Sequence, residues 1–406
     1  MSEVRFIKGG VVSAKGFRAA GVAAGIKYEG RNDVALIVAD SPCPAAAVFT
    51  TNLVAAAPVV YDRKIAAGGM AQAILANSGC ANACTGAQGL KDAELSALVT
   101  AAELGIDPKH VMVASTGVIG RPLPVDRLLD GMKKAKASLG RTFAHGLAAE
   151  KAVMTTDTKP KQACVRTVVG GKRVTIGGMS KGSGMIEPNM ATMLGFITTD
   201  AAISPSMLKR ALLLAISRSF NNLVVDGDES TNDSVFLMAS GLAGNAEIRK
   251  SGEDFRRFAD ALTELCVSLA RQMAADGEGA TKFVTVTVKG ARNAADAARA
   301  ARAVAKSPLV KTSWFGKDPN WGRVLAAVGY SGAQVVDMKT TVSYDKVWAF
   351  DRGKVADADQ LGKLARVMEK ESFEVAVDLG IGKASASIYT CDFSLDYVHI
   401  NADYTT

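Results

Sequence analysis

Short apolar segments alternate along the chain with longer segments whose apolar residues recur at helical spacing. Val34 to Val38 and Ala73 to Ala76 have the pattern of buried strands, and Lys91 to Leu104 has that of an amphipathic helix. Val111 to Ala114 is a further short strand, which opens into the turn Ser115 to Gly120. This order of strands and helices indicates a mixed α/β fold.

The second half of the chain continues the alternation. Helices are predicted from Pro205 onward, over Asp254 to Ala275 and over Ala294 to Lys306, and a strand over Phe283 to Val288. A chain of 406 residues exceeds the roughly 150 residues of a usual domain, so two lobes or one large composite fold is expected.

Two strands near the C-terminus are expected to pair with each other. They are Phe373 to Leu379 and Ser385 to Tyr389, separated by a turn that contains Gly380 and Gly382. Two strands joined by a short glycine-containing turn commonly form a β-hairpin. The sequence therefore predicts a hairpin at this position.

Composition and charge narrow the class of protein. Hydrophobic residues make up 48% and charged residues 22%, and the 39 glycines and 11 prolines are scattered, which excludes collagen, coiled coils and disorder. The net charge of +8 is mild, the Lys and Arg residues are dispersed, and only 6% of residues are aromatic. No nucleic-acid partner is expected, because such proteins concentrate basic residues with aromatic ones. An attraction for small anionic substrates explains the charge equally well.

Terminal and cysteine patterns suggest a cytoplasmic protein. The first ten residues lack the apolar core of a signal peptide, and no apolar run approaches the 18 or so residues of a membrane span, so no membrane partner is expected. Only Cys80 and Cys84 of the six cysteines lie close together, without nearby histidines, so the thiols are expected to be reduced and mostly buried. His110, His145 and His399 are isolated, so no metal site is expected.

Common binding motifs are absent or incomplete. No P-loop and no dinucleotide-binding glycine pattern occurs, which disfavours a nucleotide-binding loop. The acidic run Asp226 to Asp233 begins like a calcium loop, but Thr231 stands where the sixth position requires glycine. Two interpretations remain for this run: a solvated polar turn, or a group that positions a cation.

The segment Gly177 to Ala201 is the most unusual in composition. It contains glycine, methionine, proline and asparagine, and it places Thr192 between Ala191 and Met193, just before an apolar run predicted to be a buried strand. A threonine at the mouth of a buried strand, after a glycine-rich loop, suits a nucleophile that needs a dry and well-formed site. Thr192 is therefore a candidate nucleophile.

This segment and four others resemble one known family. The run SKGSGMIEPNMATML resembles the self-cleavage segment of the ornithine acetyltransferases, also called glutamate N-acetyltransferases or bifunctional arginine-biosynthesis enzymes. The other matching stretches are ANSGCANACTG at 76–86, STGVIG at 115–120, MTTDT at 154–158 and GKDPNWGR at 316–323, and the C-terminal NADYTT at 401–406 looks like the family's ending. Cys80 departs from the family pattern, in which an asparagine is expected.

The resemblance implies a self-processing protein. Cleavage would fall between Ala191 and Thr192 and leave an alpha chain of residues 1–191 and a beta chain of residues 192–406, with two of each chain in the assembly. The implied fold is a layered α-β-β-α arrangement similar to N-terminal nucleophile enzymes, with a smaller C-terminal α/β lobe over about 285–406. After cleavage the free α-amine of Thr192, with a pKa near ~8, lies on the nucleophile itself and serves as its base.

The resemblance also implies a reaction and a set of site residues. Thr192 would take the acetyl group from N2-acetyl-L-ornithine and pass it to L-glutamate, with no bound cofactor or metal and with acetyl-CoA as a further co-substrate in bifunctional members. Thr116 and Gly117 match the residues that stabilise the oxyanion. The positions that match substrate-binding residues are Thr155, Lys181, Thr192, Glu278, Asn401 and Thr406.

Two alternatives to this reaction remain. In an N-terminal nucleophile amidohydrolase or aminopeptidase, water would replace glutamate as the acceptor, and acetate would be released without an acceptor. In a non-catalytic small-molecule-binding protein with the same fold, the chain would stay uncleaved and still bind acetylornithine.

Overall fold

The computed structural model describes residues 4–187 and 193–403. The strands of this part are β1 (Arg5–Phe6), β2 (Phe17–Val22), β3 (Val34–Phe49), β4 (Met70–Asn77), β5 (Val111–Ser115), β6 (Lys161–Val169), β7 (Lys172–Lys181), β8 (Leu194–Thr199), β9 (Ser234–Ala239), β10 (Phe283–Ala291), β11 (Thr341–Tyr344), β12 (Val347–Asp351), β13 (Lys354–Val355), β14 (Ser372–Asp378) and β15 (Ala384–Cys391). The α-helices are α1 (Ala57–Ala67), α2 (Gly86–Leu104), α3 (Val125–Ala137), α4 (Phe143–Val153), α5 (Pro205–Ser217), α6 (Glu253–Ala275), α7 (Ala294–Lys306), α8 (Pro308–Phe315), α9 (Trp321–Gly329), α10 (Ala358–Met368) and α11 (Leu395–Asp403). Short 3₁₀ turns occur at Pro108–His110, Phe220–Asn222 and Asp337–Lys339.

The long strand β3 joins two half-sheets. Its first half pairs antiparallel with β2 and β4, and its second half pairs antiparallel with β9, with a register shift between Val38 and Cys43. The first half-sheet has the order β2-β3-β4-β5, and the second has the order β1-β6-β7-β8-β9-β3. An irregularity of this kind bends a strand, so one strand can belong to both layers.

The two half-sheets face each other across a buried core. Alternate residues of β3, such as Ile37 and Ala47, point into this core, together with Phe196 of β8 and Phe236 of β9. The rings of Phe196 and Phe236 are stacked with centroids 5.5 Å apart. The alternation along β3 sends Leu36 and its neighbours to the opposite face, because successive side chains of a strand point to opposite sides.

Helices cover both outer faces. Helices α5 and α6 pack on the half-sheet that contains β6 to β9, and α6 contributes Phe258, Leu262 and Leu269 to the core between them. Helices α2 and α3 cover the other half-sheet, with Ala97 and Met132 in the core. The layers are therefore helix, sheet, sheet and helix, which confirms the α-β-β-α arrangement expected from the resemblance.

A second sheet, built from β10 to β15, forms a separate core. Its strand order is β13-β12-β11-β14-β10-β15, and the side chains of Trp314 and Tyr344 are fully buried in its core. After β15 the chain continues as α11, in which Asn401 forms a hydrogen bond with Glu278, a residue of the segment between α6 and β10.

The predicted hairpin between the last two strands is wrong. Both strands exist, as β14 and β15, but β10 lies between them, parallel to β14 and antiparallel to β15. The turn at Gly380 therefore spans two strand spacings, about 10 Å, instead of one. Alternating apolar residues predict a strand, but not the strand with which it pairs.

The six cysteines are free thiols, and five of them are buried, as expected, while Cys84 is exposed. In the part of the chain that the structure describes, no helix has both the length and the apolar composition needed to cross a bilayer.

Candidate active site

Two loops leave the same edge of the first half-sheet and pack on each other. Strands β4 and β5 are parallel neighbours, and they end side by side at Asn77 and Ser115. The Ser115 hydroxyl donates to Asn77 Oδ1 at 2.7 Å, and Asn77 Nδ2 donates to the carbonyl of Cys80 at 2.9 Å. The two side chains thereby fix the start of both loops.

The turn after β5 presents backbone and hydroxyl donors. Gly117 has φ +128°, and a Cβ here would lie 2.5 Å from the carbonyl carbon of Gly79, so only glycine fits this close approach. The N–H of Thr116 donates to the carbonyl of Asn77 at 3.0 Å. The N–H of Gly117 has no acceptor among residues 4–187 and 193–403. Of the groups at Thr116 and Gly117, the Gly117 N–H and the Thr116 hydroxyl therefore remain able to donate to a bound group.

Lys181 ends β7 and reaches this turn. Its Nζ donates to Thr116 Oγ1 at 3.1 Å. Burial lowers the pKa of the Lys181 ammonium, and the nearby carboxylates of Asp157, Asp233 and Glu278 oppose that shift. The site therefore contains one half-buried lysine surrounded by acidic groups.

Glu278 lies opposite, in the segment that follows α6. Its backbone N–H donates to the carbonyl of Ser183 at 2.8 Å, and its carboxylate packs directly on Gly184. Asn401 of α11 donates from Nδ2 to Glu278 Oε2 at 2.8 Å. The C-terminal helix is thus connected to the site by a side-chain hydrogen bond.

The backbone N–H and the backbone carbonyl of Thr155 each form a hydrogen bond with a side chain. Its N–H donates to Asp157 Oδ2 at 3.0 Å, and its carbonyl accepts from Arg31 Nη2 at 2.9 Å. The next residue, Thr156, shares a 2.8 Å hydrogen bond with the hydroxyl of Ser183.

These groups surround one cavity of about 140 Å³. Its lining residues are Thr116, Gly117, Ile119, Thr155, Thr156, Lys181, Gly184, Met185, Ser230, Thr231, Asn232, Glu278 and Asn401. Six of the residues proposed from sequence are among them, although they come from five separate stretches of the chain. The other three, Ala191, Thr192 and Thr406, lie outside the described residues, and the role of each of the nine stays a prediction.

The chain is anchored on both sides of the predicted cleavage segment. Glu187 forms a 2.8 Å ion pair with Lys306 of α7. On the other side, the carbonyl of Met193 accepts from Ser234 N at 3.0 Å, and the N–H of Met193 donates to the carboxyl group of Asp233. The described residues on either side of positions 188–192 are therefore held by an ion pair and by hydrogen bonds.

The acidic run from Asp226 to Asp233 is not a solvated turn at its C-terminal end. Asn232 is buried and donates from Nδ2 to the carbonyls of Ala81 and Ser115 at 2.6 and 2.8 Å. Asp233 is also buried, and burial raises its pKa well above the usual range, while Lys181 acts in the opposite direction. The solvated polar turn is therefore wrong for Asn232 and Asp233, and the positioning of a cation stays a prediction.

A buried ion-pair network beside the site was missed by sequence reasoning. Lys161 Nζ lies 2.6 Å from Asp157 Oδ1 and 2.6 Å from Asp276 Oδ2. Asp157 belongs to the MTTDT stretch, which marked the region, but nothing in the sequence pairs Lys161 with a residue 115 positions away. In the described residues, no group of three or more His, Cys, Asp and Glu side chains is placed to hold a metal ion.

A larger open groove, of about 780 Å³, lies between α6 and the second sheet. Residues of both charges, including Glu264 and Arg271, line it. None of the residues proposed from sequence lies there, so the smaller cavity is the candidate active site.

Comparison with known proteins gives full-length matches. The sequence profile of the ArgJ family matches residues 18–406. The chain is 50% identical over 405 residues to the arginine biosynthesis bifunctional protein ArgJ of Symbiobacterium thermophilum, covering 99% of this chain and 100% of that protein. It is 49% identical over 395 residues to the protein of the same name from Geobacter sulfurreducens, covering 97% of this chain and 100% of that protein.

Two similar solved structures match about half of the chain. A crystal structure of the arginine biosynthesis bifunctional protein argJ from Bacillus halodurans is 45% identical and covers 48% of this chain and 99% of its own, with a TM-score of 0.45. The ornithine acetyltransferase from Mycobacterium tuberculosis, complexed with ornithine, is 40% identical and covers 46% of this chain and 99% of its own, with a TM-score of 0.43.

Proposed function

The chain belongs to the ArgJ family, and on this premise we propose that it is the glutamate N-acetyltransferase of arginine biosynthesis. It transfers the acetyl group of N2-acetyl-L-ornithine to L-glutamate and releases L-ornithine and N-acetyl-L-glutamate. Because the similar full-length proteins are named bifunctional, the proposal includes a second activity, the acetylation of glutamate by acetyl-CoA.

One observation carries the proposal. Thr116, Gly117, Thr155, Lys181, Glu278 and Asn401 were identified by resemblance to the family, and all six line the same cavity of about 140 Å³. A cavity that combines oxyanion donors, a cation and a carboxylate suits an amino-acid substrate that carries an amide carbonyl.

We propose that Thr192 is the nucleophile of a two-step transfer. Its hydroxyl attacks the acetyl carbonyl while its own α-amine takes the proton, and the developing oxyanion is stabilised by the Gly117 N–H and the Thr116 hydroxyl. One such donor typically lowers the activation barrier by about 3 kcal/mol. The C–N bond then breaks, the proton passes to the leaving amine of ornithine, and the acetyl group stays on Thr192 as an ester. The amine of glutamate attacks this ester in the reverse sequence.

Charge guides the recognition of both substrates. The Lys181 ammonium pairs with the α-carboxylate, and the hydroxyl of Thr155 and the amides or hydroxyls of Asn401 and Thr406 supply further contacts. Glu278 offers a counter-charge to the side-chain ammonium of ornithine. Because glutamate brings a carboxylate to the same pocket, a part in proton transfer is the alternative role for Glu278.

The assembly follows from self-cleavage between Ala191 and Thr192. Strand β8 of the beta chain is hydrogen-bonded between β7 of the alpha chain and β9, so the two chains of 1–191 and 192–406 share one sheet. We propose that they stay together, with two of each chain in the assembly. The free cysteines suit a reducing compartment such as the cytoplasm. The mechanism assigns every proton and bond to residues of the chain and requires no bound metal or prosthetic group.

The test is an acetyl-transfer assay with N2-acetylornithine, run with and without glutamate. The proposal predicts ornithine release that depends on glutamate, and equal amounts of ornithine and N-acetylglutamate. Release of acetate at the same rate without glutamate would identify a hydrolase instead. Binding of acetylornithine by an uncleaved chain without turnover would identify a non-catalytic binding protein. A parallel assay with acetyl-CoA and glutamate tests the second activity.

A further inference from the structure

Three buried charges adjoin the candidate active site. The side chains of Asp157, Lys161 and Asp276 are 0%, 1% and 5% exposed. Lys161 Nζ contacts one carboxylate oxygen of each acid at 2.6 Å, and it also donates to the carbonyl of Lys159 at 3.3 Å. Removing a charge from such a group leaves its partner buried and unpaired, so the three side chains hold one another in place.

Asp157 connects this network to the cavity. Its Oδ1 accepts from the N–H of Gly182 at 2.7 Å, and its Oδ2 accepts from the N–H of Thr155 at 3.0 Å. Gly182 follows Lys181 directly, so one carboxylate holds the backbone beside two residues of the cavity wall. Both carboxylate oxygens of Asp157 therefore accept hydrogen bonds from backbone N–H groups in the wall of the site.

The charges of the network are not balanced within it. Two carboxylates and one ammonium leave one negative charge, and Lys181 is the neighbouring cation. Burial raises the pKa of Asp157, but Lys161 and Lys181 outweigh burial and hold that pKa at about 2, so the carboxylate is ionised at neutral pH. In turn, among the charged groups that face Lys181, which are Asp157, Lys161, Asp233 and Glu278, Asp157 is the largest influence that favours its protonated form.

We propose that Asp157 is a positioning residue of this site, whose carboxylate orients Thr155 and Gly182 and supplies a counter-charge to Lys181, the cation that faces the substrate carboxylate. Asp157 itself lies behind the cavity wall and makes no contact with substrate. This inference rests on the proposed function, because it assigns Lys181 to the α-carboxylate of acetylornithine.

The proposal fixes the sign of a pH effect. Lys181 attracts the carboxylate only while it is protonated, so kcat/KM for acetylornithine falls as the pH rises through the pKa of Lys181. Loss of the Asp157 charge lowers that pKa, and the fall therefore begins at lower pH. A nearby opposite charge typically changes a pKa by about one unit or more.

The experiment measures kcat/KM for N2-acetylornithine against pH in wild-type protein and in Asp157→Asn, Asp157→Glu and Asp200→Asn. Asp200→Asn is the matched control, because Asp200 is also a buried aspartate, lies at the far end of β8 and accepts from the Thr175 N–H at 2.8 Å. We expect Asp157→Asn to lose about tenfold in kcat/KM at neutral pH, as for one lost charge-assisted hydrogen bond. Its alkaline limb should move to lower pH by about one unit. The control should keep the wild-type limb.

Asp157→Glu keeps the charge but displaces the carboxylate, so it should lose kcat/KM while its alkaline limb stays in place. This variant carries the test if Asp157→Asn is recovered unfolded, as judged by its melting curve. An unchanged alkaline limb in folded Asp157→Asn, or a shifted limb in Asp157→Glu, would overturn the proposal. Wild-type protein without any acetyl transfer would instead refute the proposed function, and the inference with it.

Discussion

At the scale of single residues, Gly184 leaves no room for a side chain beside the carboxylate of Glu278. A Cβ on Gly184 would lie 2.3 Å from the carboxyl carbon and from Oε2 of Glu278. The carboxylate would have to move, and it would lose its 2.8 Å hydrogen bond from Asn401. We predict that Gly184→Ala loses about 100-fold in kcat/KM, because small displacements of catalytic geometry have effects of this size.

Gly362→Ala is the matched control for this variant. Gly362 lies in α10, and a Cβ there meets no atom within 4 Å, so activity should be unchanged and stability slightly raised. Steady-state kinetics and a melting curve for both variants decide the question. Wild-type kinetics in Gly184→Ala would show that the position of Glu278 is unimportant.

The turn at Thr116 and Gly117 shows what a resemblance to a family does not give. The family match points to Thr116 and Gly117 as a pair, but it does not say which atoms act. Because the N–H of Thr116 is bound to the carbonyl of Asn77, its hydroxyl is the donor that remains. The same hydroxyl accepts from Lys181 at 3.1 Å, so its proton is directed away from that lysine.

At the scale of elements, α11 reaches the candidate site without adding to the buried core. No residue of this helix is fully buried, and Leu395 and Val398 are 69% and 62% exposed. Its Asn401 nevertheless lines the cavity. We predict that a chain ending at Ser394 folds with a melting temperature within about 2 °C of wild type, since little apolar surface is lost.

The same truncation should lower kcat/KM by about tenfold or more, as expected for the loss of a hydrogen bond to a charged group. The comparison is with Asn401→Ala, which removes the side chain and keeps the helix. A truncated chain with full activity would contradict the placement of the C-terminus in the site.

The fold was largely predictable at this scale, and the pairing of elements was not. The predicted helix Ala294–Lys306 has the bounds of α7, and the buried strand predicted after Thr192 is β8. The prediction of a hairpin was wrong, because β10 lies between β14 and β15 in the sheet. Local periodicity determines where a strand runs, whereas its partner depends on packing between distant segments.

In the candidate site, too, individual residues were predicted from the sequence but contacts between distant residues were not. The resemblance to the family identified candidate residues such as Lys181 and Glu278. The ion pair between Lys161 and Asp276 joins residues 115 positions apart, so no local sequence pattern predicts it. The burial of Asp233 near Lys181 was not predictable either, because the sequence shows Asp233 only as the last residue of an acidic run.

At the scale of the whole molecule, self-cleavage would leave the two chains interlocked. Strand β8 lies between β7 and β9, and β3 of the first chain pairs with β9 of the second. We predict that both chains elute together in native size-exclusion chromatography and separate only in denaturant. Two of each would give twice the 42.2 kDa of the precursor. Separate elution of the two chains would contradict the shared sheet.

Processing and catalysis depend on the same hydroxyl in this account. We predict that Thr192→Ala is a single, folded and inactive chain, because the variant has no nucleophile for either reaction. Gel electrophoresis under denaturing conditions and the acetyl-transfer assay check this together. Full activity of purified Thr192→Ala would refute the nucleophile.

Self-cleavage before Thr192 is tested by the mass of the purified wild-type protein under denaturing conditions, followed by N-terminal sequencing. We expect two chains in equal amounts, with the masses of residues 1–191 and 192–406, the second beginning with Thr-Met-Leu-Gly-Phe. A single intact chain of 42.2 kDa that transfers acetyl groups would contradict it.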